Sequence, residues 1–165
     1  MGWGDGVEDG EDGVGVEELA VNLPRLLPLA VEWAETRSRE ILDTGVPLTP
    51  HEVELACAVG VEHPERVRVK VVSAAPLPEN PELRAVALQA ESMGPSTDGL
   101  TLGYGIYLVV GFVDDRLMRH ESRHVYQYER AGSIDAFLAK YVPGVINLKY
   151  WNAPDEVDAP AWENG

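Results

Sequence analysis

The sequence predicts an α+β fold in which helices pack on a short mixed or antiparallel sheet. Helical periodicity recurs in separate stretches between residues 24 and 141, while 67–72 and 100–112 carry strand patterns. A length of 165 residues with 45% hydrophobic content suits one domain with its own core. The domain is expected over residues 19–165, preceded by an acidic tail over 1–18.

That tail carries Asp5, Glu8, Asp9, Glu11, Asp12, Glu17 and Glu18 among glycines, without a basic residue. Too little apolar surface is present to offset the entropy of ordering it. A calcium loop starting at Asp5 fails, because Val7 and Val16 stand where oxygen ligands are required. The first helix is expected from Pro24 to Asp43, with Leu26, Leu29, Ala30, Trp33, Ala34 and Ile41 as its apolar stripe and Gly45 as its stop. Thr49-Pro50-His51-Glu52 reads as a capping box opening a short helix to Ala58, ended by Gly60. Cys57 reads as a small buried residue on that helix; His51 and His63 read as solvent-facing.

Val67 to Val72 alternates apolar and charged residues, as a strand with one wet face does. A proline-rich connection leads to a helix over 82–93 and a loop over 94–99. Leu100 to Phe112 reads as strand, broken near Gly103 and Gly105. Asp114 and Asp115 then cap a helix that runs to Gly132. Ser133 opens another (Ile134, Phe137, Leu138, Tyr141), closed by Pro143-Gly144, and an irregular tail follows.

The formal charge of -15 argues against a nucleic-acid partner, since phosphate would be repelled. A single cysteine leaves no intramolecular disulfide and no thiolate cluster. No basic start with an apolar run opens the chain, and Ile106 to Val113 is too short to span a bilayer. A soluble, cytoplasmic protein without membrane association is expected; no oligomeric state is indicated.

The helix after Asp115 contains His120-Glu121-Ser122-Arg123-His124. Residues four apart share one helix face, so both imidazoles can close on a single metal ion with Glu121 beside them. Zinc held by two histidines beside a carboxylate is the working core of many metallopeptidases. A catalytic zinc requires three protein ligands and one open position. His124 is the last histidine in the chain, and Gln127 and Arg130 stand where a metzincin would place Gly and His. A carboxylate must therefore complete the set. Glu129 is turned off the metal face, and Asp135 is explained by its place at a helix start. The cluster Asp155-Glu156-Val157-Asp158 remains.

Here the chain resembles the gluzincins, HExxH metallopeptidases whose third ligand is a glutamate on a later segment. Several carry that Glu followed by x-[Asp/Glu]-Ala, as in Glu156-Val157-Asp158-Ala159, and the likeness covers about residues 100–159. The run His124 to Glu129 is also similar to short uncharacterised bacterial proteins of this type. The resemblance implies a small zincin-like domain with Glu156 as ligand and Asp158 either orienting a histidine from behind or standing as the alternative third ligand. Position 160 is Pro, where several gluzincins place Asp.

On this reading His120, His124 and Glu156 hold Zn²⁺, and Glu121 is the general base in hydrolysis of a peptide or protein substrate. Tyr104, Tyr107, Tyr141, Tyr150 and Arg123 are the candidate oxyanion donors. Tyr104 to Val110, as the sheet edge, would pair an extended substrate, and Gln127 would touch the ligand sphere or solvent. The alternative is a zinc-binding or protein-interaction domain of the same fold without turnover.

Overall fold

The computed structural model describes residues 21–90 and 98–148. The acidic tail, residues 91–97 and the cluster around Glu156 lie outside the described residues. The chain order is α1 (Leu23–Thr44), β1 (Val46–Pro47), α2 (Pro50–Ala58), a 3₁₀ turn (Pro64–Arg66), β2 (Arg68–Val72), α3 (Pro81–Ala90), β3 (Gly99–Leu102), β4 (Gly105–Val109), α4 (Asp115–Ala131) and α5 (Ile134–Leu148). Together they make an α+β domain, helices packed on a mixed sheet of order β1-β2-β4-β3. None of the described helices is long and apolar enough to cross a membrane.

The local signals act as their chemistry dictates. The Thr49 side chain accepts from Glu52 N while the Glu52 carboxylate accepts from Thr49 N, a reciprocal box that starts α2. The stretch 100–112 is a hairpin: β3 and β4 pair antiparallel, with Leu102 opposite Gly105 across the Gly103-Tyr104 turn. Parallel pairing of β2 with β4 needs a crossover, and α3 lies in that connection.

This topology corrects the expectation for the substrate edge. Strand β4 bonds to β2 on one side and β3 on the other, so Tyr104 to Val110 has no open ladder to offer. The edge beside α4 is β3 instead. Pairing across the sheet is non-local, so the length and hydropathy of 100–112 carry no sign of which half lies outside.

Alternation along the strands separates two cores. Val67, Val69, Ile106 and Leu108 pack with α2 and with Leu117, Met118 and Val125 of α4. Leu100, Leu102 and Tyr107 face the other way, into a core shared with α1, α3 and α5. Full burial of Leu26, Ile41, Ile106 and Leu108 contributes about 1.5–3 kcal/mol for each side chain. Buried Ser38 satisfies its hydroxyl on Leu102 O at 2.8 Å, tying α1 to the hairpin.

Two further expectations are corrected. Helix α5 does not close at Pro143-Gly144 but continues to Leu148. An interior proline costs a helix about 3 kcal/mol. Burial of Phe137, Leu138 and Val142 against α1, α3 and α4 offsets that penalty. Cys57 is exposed, because the phase of α2 turns Leu55 and Ala56 inward and leaves Cys57 facing solvent.

Glu129 has a structural task. Its carboxylate accepts from Glu62 N at 2.8 Å, His63 N at 2.9 Å and the Tyr104 hydroxyl at 2.9 Å. It thereby pins the segment after α2 to α4. Glu129→Ala is expected to lower unfolding free energy by about 1–3 kcal/mol, read from urea denaturation, because three donors lose a charged acceptor.

Candidate functional site

The site is built on α4, which is set at both ends. Asp114 accepts from Leu117 N at 2.8 Å, and Gly132 adopts the left-handed conformation, φ 98°, that ends the helix. Along its inner face α4 buries Leu117, Met118, Glu121, Ser122, His124, Val125 and Tyr128. His120 stands half-buried beside them.

The two imidazoles lie edge to face, with ring centroids 5.0 Å apart and planes at 76°. His124 Nδ1 is 2.8 Å from Gln127 Oε1. With the Gln127 oxygen toward the ring, the matching tautomer has Nδ1 donating and Nε2 left with the lone pair. This is the arrangement in which a ligating histidine is steadied by an outer partner. Gln127 is itself buried, so it bonds His124 and does not face solvent.

Glu121 is only 4% exposed. The Thr101 hydroxyl donates to Glu121 Oε1 at 2.6 Å and approaches Glu121 O at 3.1 Å. The strand period explains this contact. Thr101 opposes Ile106 in the register and shares its face of the sheet, the face that α4 covers. Gly99 lies on the same face. A Cβ built there would stand 2.9 Å from Glu121 Oε2 and 3.1 Å from its Cδ. The backbone of β3 therefore touches the carboxylate directly, which only glycine permits. Because the clash falls on the far end of a flexible side chain, Gly99→Ala is expected to leave the fold almost as stable, within about 1 kcal/mol, while displacing Glu121. Differential scanning calorimetry checks the first part. A fall of about tenfold or more in any Glu121-dependent reaction checks the second.

His120, Glu121 and His124 line one cavity of about 250 Å³. Its other walls come from β3 and from α1, α3 and α5. Tyr141 shares this cavity and so remains a candidate oxyanion donor. Tyr104 donates to Glu129, and Arg123 donates to Val59 O at 2.7 Å and stacks 3.9 Å over Tyr126. Tyr107 is buried in the α1 core, and neither it, Tyr104 nor Arg123 lines this cavity. Burial pushes the Tyr107 phenol up, and the nearby Glu40 adds to the shift. Tyr104 is raised by burial and by its bond to Glu129. Tyr150 lies outside the described residues.

The remaining acids and histidines sort plainly. His51 pairs with Asp115 at 2.8 Å, and His63 lies 3.3 Å from Glu65, both on the exposed surface as expected. Asp135 is exposed in the first turn of α5. Among the described residues no group of three His, Cys, Asp or Glu is placed to hold a metal ion. Glu156 and Asp158 lie outside them. The side chains that could meet a zinc ion from one side are two imidazoles on one helix face, His124 bonded to Gln127 behind it, with a carboxylate adjacent.

Thr101 and Gly99 are the contributors that the pattern reading missed. Their only sequence signal was parity with Ile106, usable once the hairpin register is known. Compared with protein-family models, with curated proteins and with solved structures, the chain matches none.

Proposed function

We propose that this protein is a zinc-dependent peptidase of gluzincin type, with His120, His124 and Glu156 as ligands and Glu121 as general base. The observation that carries the reading is the buried carboxylate of Glu121 between two half- to fully buried imidazoles, at the edge strand and in the wall of a cavity. A metal site needs only the ligands; a buried acid beside them, contacted by a strand edge, has a use in moving a proton. Bound zinc supplies Lewis acidity, which brings a water's pKa near neutral and polarises the scissile carbonyl.

The rest falls to the chain's own residues. Thr101 holds Glu121 through Oε1, and the carboxylate accepts the proton of the attacking water. Glu121 then returns that proton to the leaving amine. An extended peptide adds along the outer edge of β3, its backbone paired by the strand. Gln127 holds His124, and by the resemblance Asp158 orients the other histidine from behind. The exposed single thiol Cys57 suits a reducing cytoplasm.

The test uses full-length protein purified without a histidine tag. One zinc per chain by mass spectrometry, with peptide cleavage stopped by 1,10-phenanthroline and restored by zinc, is the expected result. Stoichiometric zinc without cleavage of any peptide in a diverse mixture would favour the non-catalytic zinc-binding domain. A zinc-free protein would remove both readings.

A further inference from the structure

We propose that this chain pairs with a second copy of itself through the open edge of β2, centred on Val71, and through the apolar turn that follows β4. A dimer of this kind needs neither zinc nor peptide cleavage.

The hydrogen bonds of β2 show which of its backbone groups are already used. Arg68 N donates to Tyr104 O at 3.0 Å, and Val72 O accepts from Val110 N at 2.8 Å. Residues 68, 70 and 72 therefore turn their amide groups toward β4. Alternation along a strand then aims those of Val69 and Val71 at the opposite edge. Val69 lies opposite Val46, but β1 pairs only with Arg68 and Val69. Gly45 closes against the strand just there, since a Cβ built on it would stand 2.8 Å from Val69 O. Among the described residues no strand lies beside Val71 on that side, and Val71 is 55% exposed. An unpaired edge is a template for another strand.

A second copy fits this edge by symmetry. In an antiparallel pair centred on Val71, the two Val71 residues exchange both N–H···O bonds across a two-fold axis. Lys70 of one copy then falls opposite Val72 of the other, so no like charges stand directly opposed.

The sheet face beside the edge is apolar. Val71 shares it with Val69, Ile106, Leu108 and Val110. Helices α2 and α4 bury Val69, Ile106 and Leu108 but leave Val71 and Val110 exposed. The chain next turns through Gly111, φ 93°, with Phe112 N donating to Val109 O at 3.1 Å. Turns usually carry polar residues. This one presents Val110, Phe112 and Val113, 46–59% exposed.

Val46, on the face of Val69, completes a set of exposed apolar side chains. Together they present roughly 400 Å², within the 300–600 Å² typical of the largest and often functional patch on a monomer. A standard interface takes about 800 Å² from each partner, a little over half of it apolar. The patch supplies that apolar part. The formal charge of -15 opposes association, yet salt at physiological strength screens exposed charges beyond about 8 Å. The turn leads directly into Asp114, the cap of α4, so the contact braces the start of the helix that carries His120 and Glu121.

The experiment is sedimentation velocity on the full chain, from micromolar to millimolar concentration in physiological salt. The wild type is expected to shift from monomer to dimer. Val71→Lys and Val71→Glu should each weaken the dimer by roughly tenfold or more, through like charge at the axis. Mixed in equal amounts, these two variants should restore it, because residue 71 faces its own counterpart. Phe112→Ser, which leaves β2 untouched, should weaken it as well, with circular dichroism reporting the fold of each variant.

A wild type that stays monomeric throughout overturns the proposal, and so does one that instead sediments with phosphatidylcholine vesicles. Folded Val71 variants that dimerise like the wild type, or a mixture no stronger than its components, overturn it too. Should the Val71 variants fail to fold, Phe112→Ser decides, and a dimer as strong as the wild type's would be contrary. Zinc content and cleavage enter none of these outcomes, so this contact and the peptidase reading stand or fall separately.

Discussion

Glu121→Gln is expected to keep zinc bound at wild-type stoichiometry while lowering kcat/KM by about 10²- to 10⁴-fold, the usual contribution of a positioned general base. The substitution is nearly isosteric. The amide oxygen can still accept the Thr101 hydroxyl that now lies 2.6 Å from Glu121 Oε1, so the side chain keeps its place against β3. His120 and His124 are untouched, and the bond from His124 to Gln127 is on the far side of the ring's lone pair. What disappears is the capacity to accept a proton. Zinc analysis and steady-state cleavage on the same preparation separate the two effects. Loss of zinc along with activity would make Glu121 a ligand or a structural prop, and unchanged cleavage would place the base elsewhere.

His124→Ala is expected to remove zinc and, with it, the metal's contribution to stability. At free zinc a hundredfold above its dissociation constant, binding stabilises the native state by about 2.7 kcal/mol. The variant should therefore unfold at the same temperature with and without zinc, whereas the wild type should melt lower in EDTA. Gln127→Leu provides the graded comparison. It removes the partner of His124 Nδ1 and keeps both ligating rings, so affinity should fall by roughly 10- to 100-fold and not vanish. Equal losses in the two variants would mean that Gln127 acts on the fold and not on the ring.

How far the chain can be read without coordinates depends on the range of the interactions involved. The start of α2 was legible because Thr49 and Glu52 satisfy each other within one turn. The same holds for α4, whose cap at Asp114 and stop at Gly132 are local chemistry, and whose i, i+4 spacing brings His120 and His124 together. Local rules failed where distant surfaces competed with them. Pro143 and Gly144 signal a stop, yet Phe137, Leu138 and Val142 ahead of them are buried against three other helices, and α5 goes on. Cys57 was placed on the wrong side of α2 because short helices give too few turns to fix the phase.

The site divides in the same way. That His120, Glu121, His124 and Gln127 are neighbours follows from one helix; that Gln127 bonds His124 needed the coordinates. Thr101 and Gly99 come to Glu121 only through the β3–β4 register and the packing of α4 on that face of the hairpin, a choice that the residues 100–112 do not announce. The exchange of β4 for β3 as the sheet edge is the same failure seen from the sheet. The cavity lies where three helices meet β3, with small residues only from α1 and α3 (Ala30, Ala34, Ala87), and none of those alanines is distinctive in its own stretch of sequence.

The central claim is that a distant glutamate joins two helix-borne imidazoles on one ion. Zinc titration against a competing chelator, run on the wild type, Glu156→Ala and Asp158→Ala, tests it most directly. One equivalent should bind the wild type; Glu156→Ala should lose affinity as completely as His124→Ala, and Asp158→Ala should lose only roughly 10- to 100-fold. Wild-type affinity in Glu156→Ala would contradict the assignment and leave the two histidines without their third ligand.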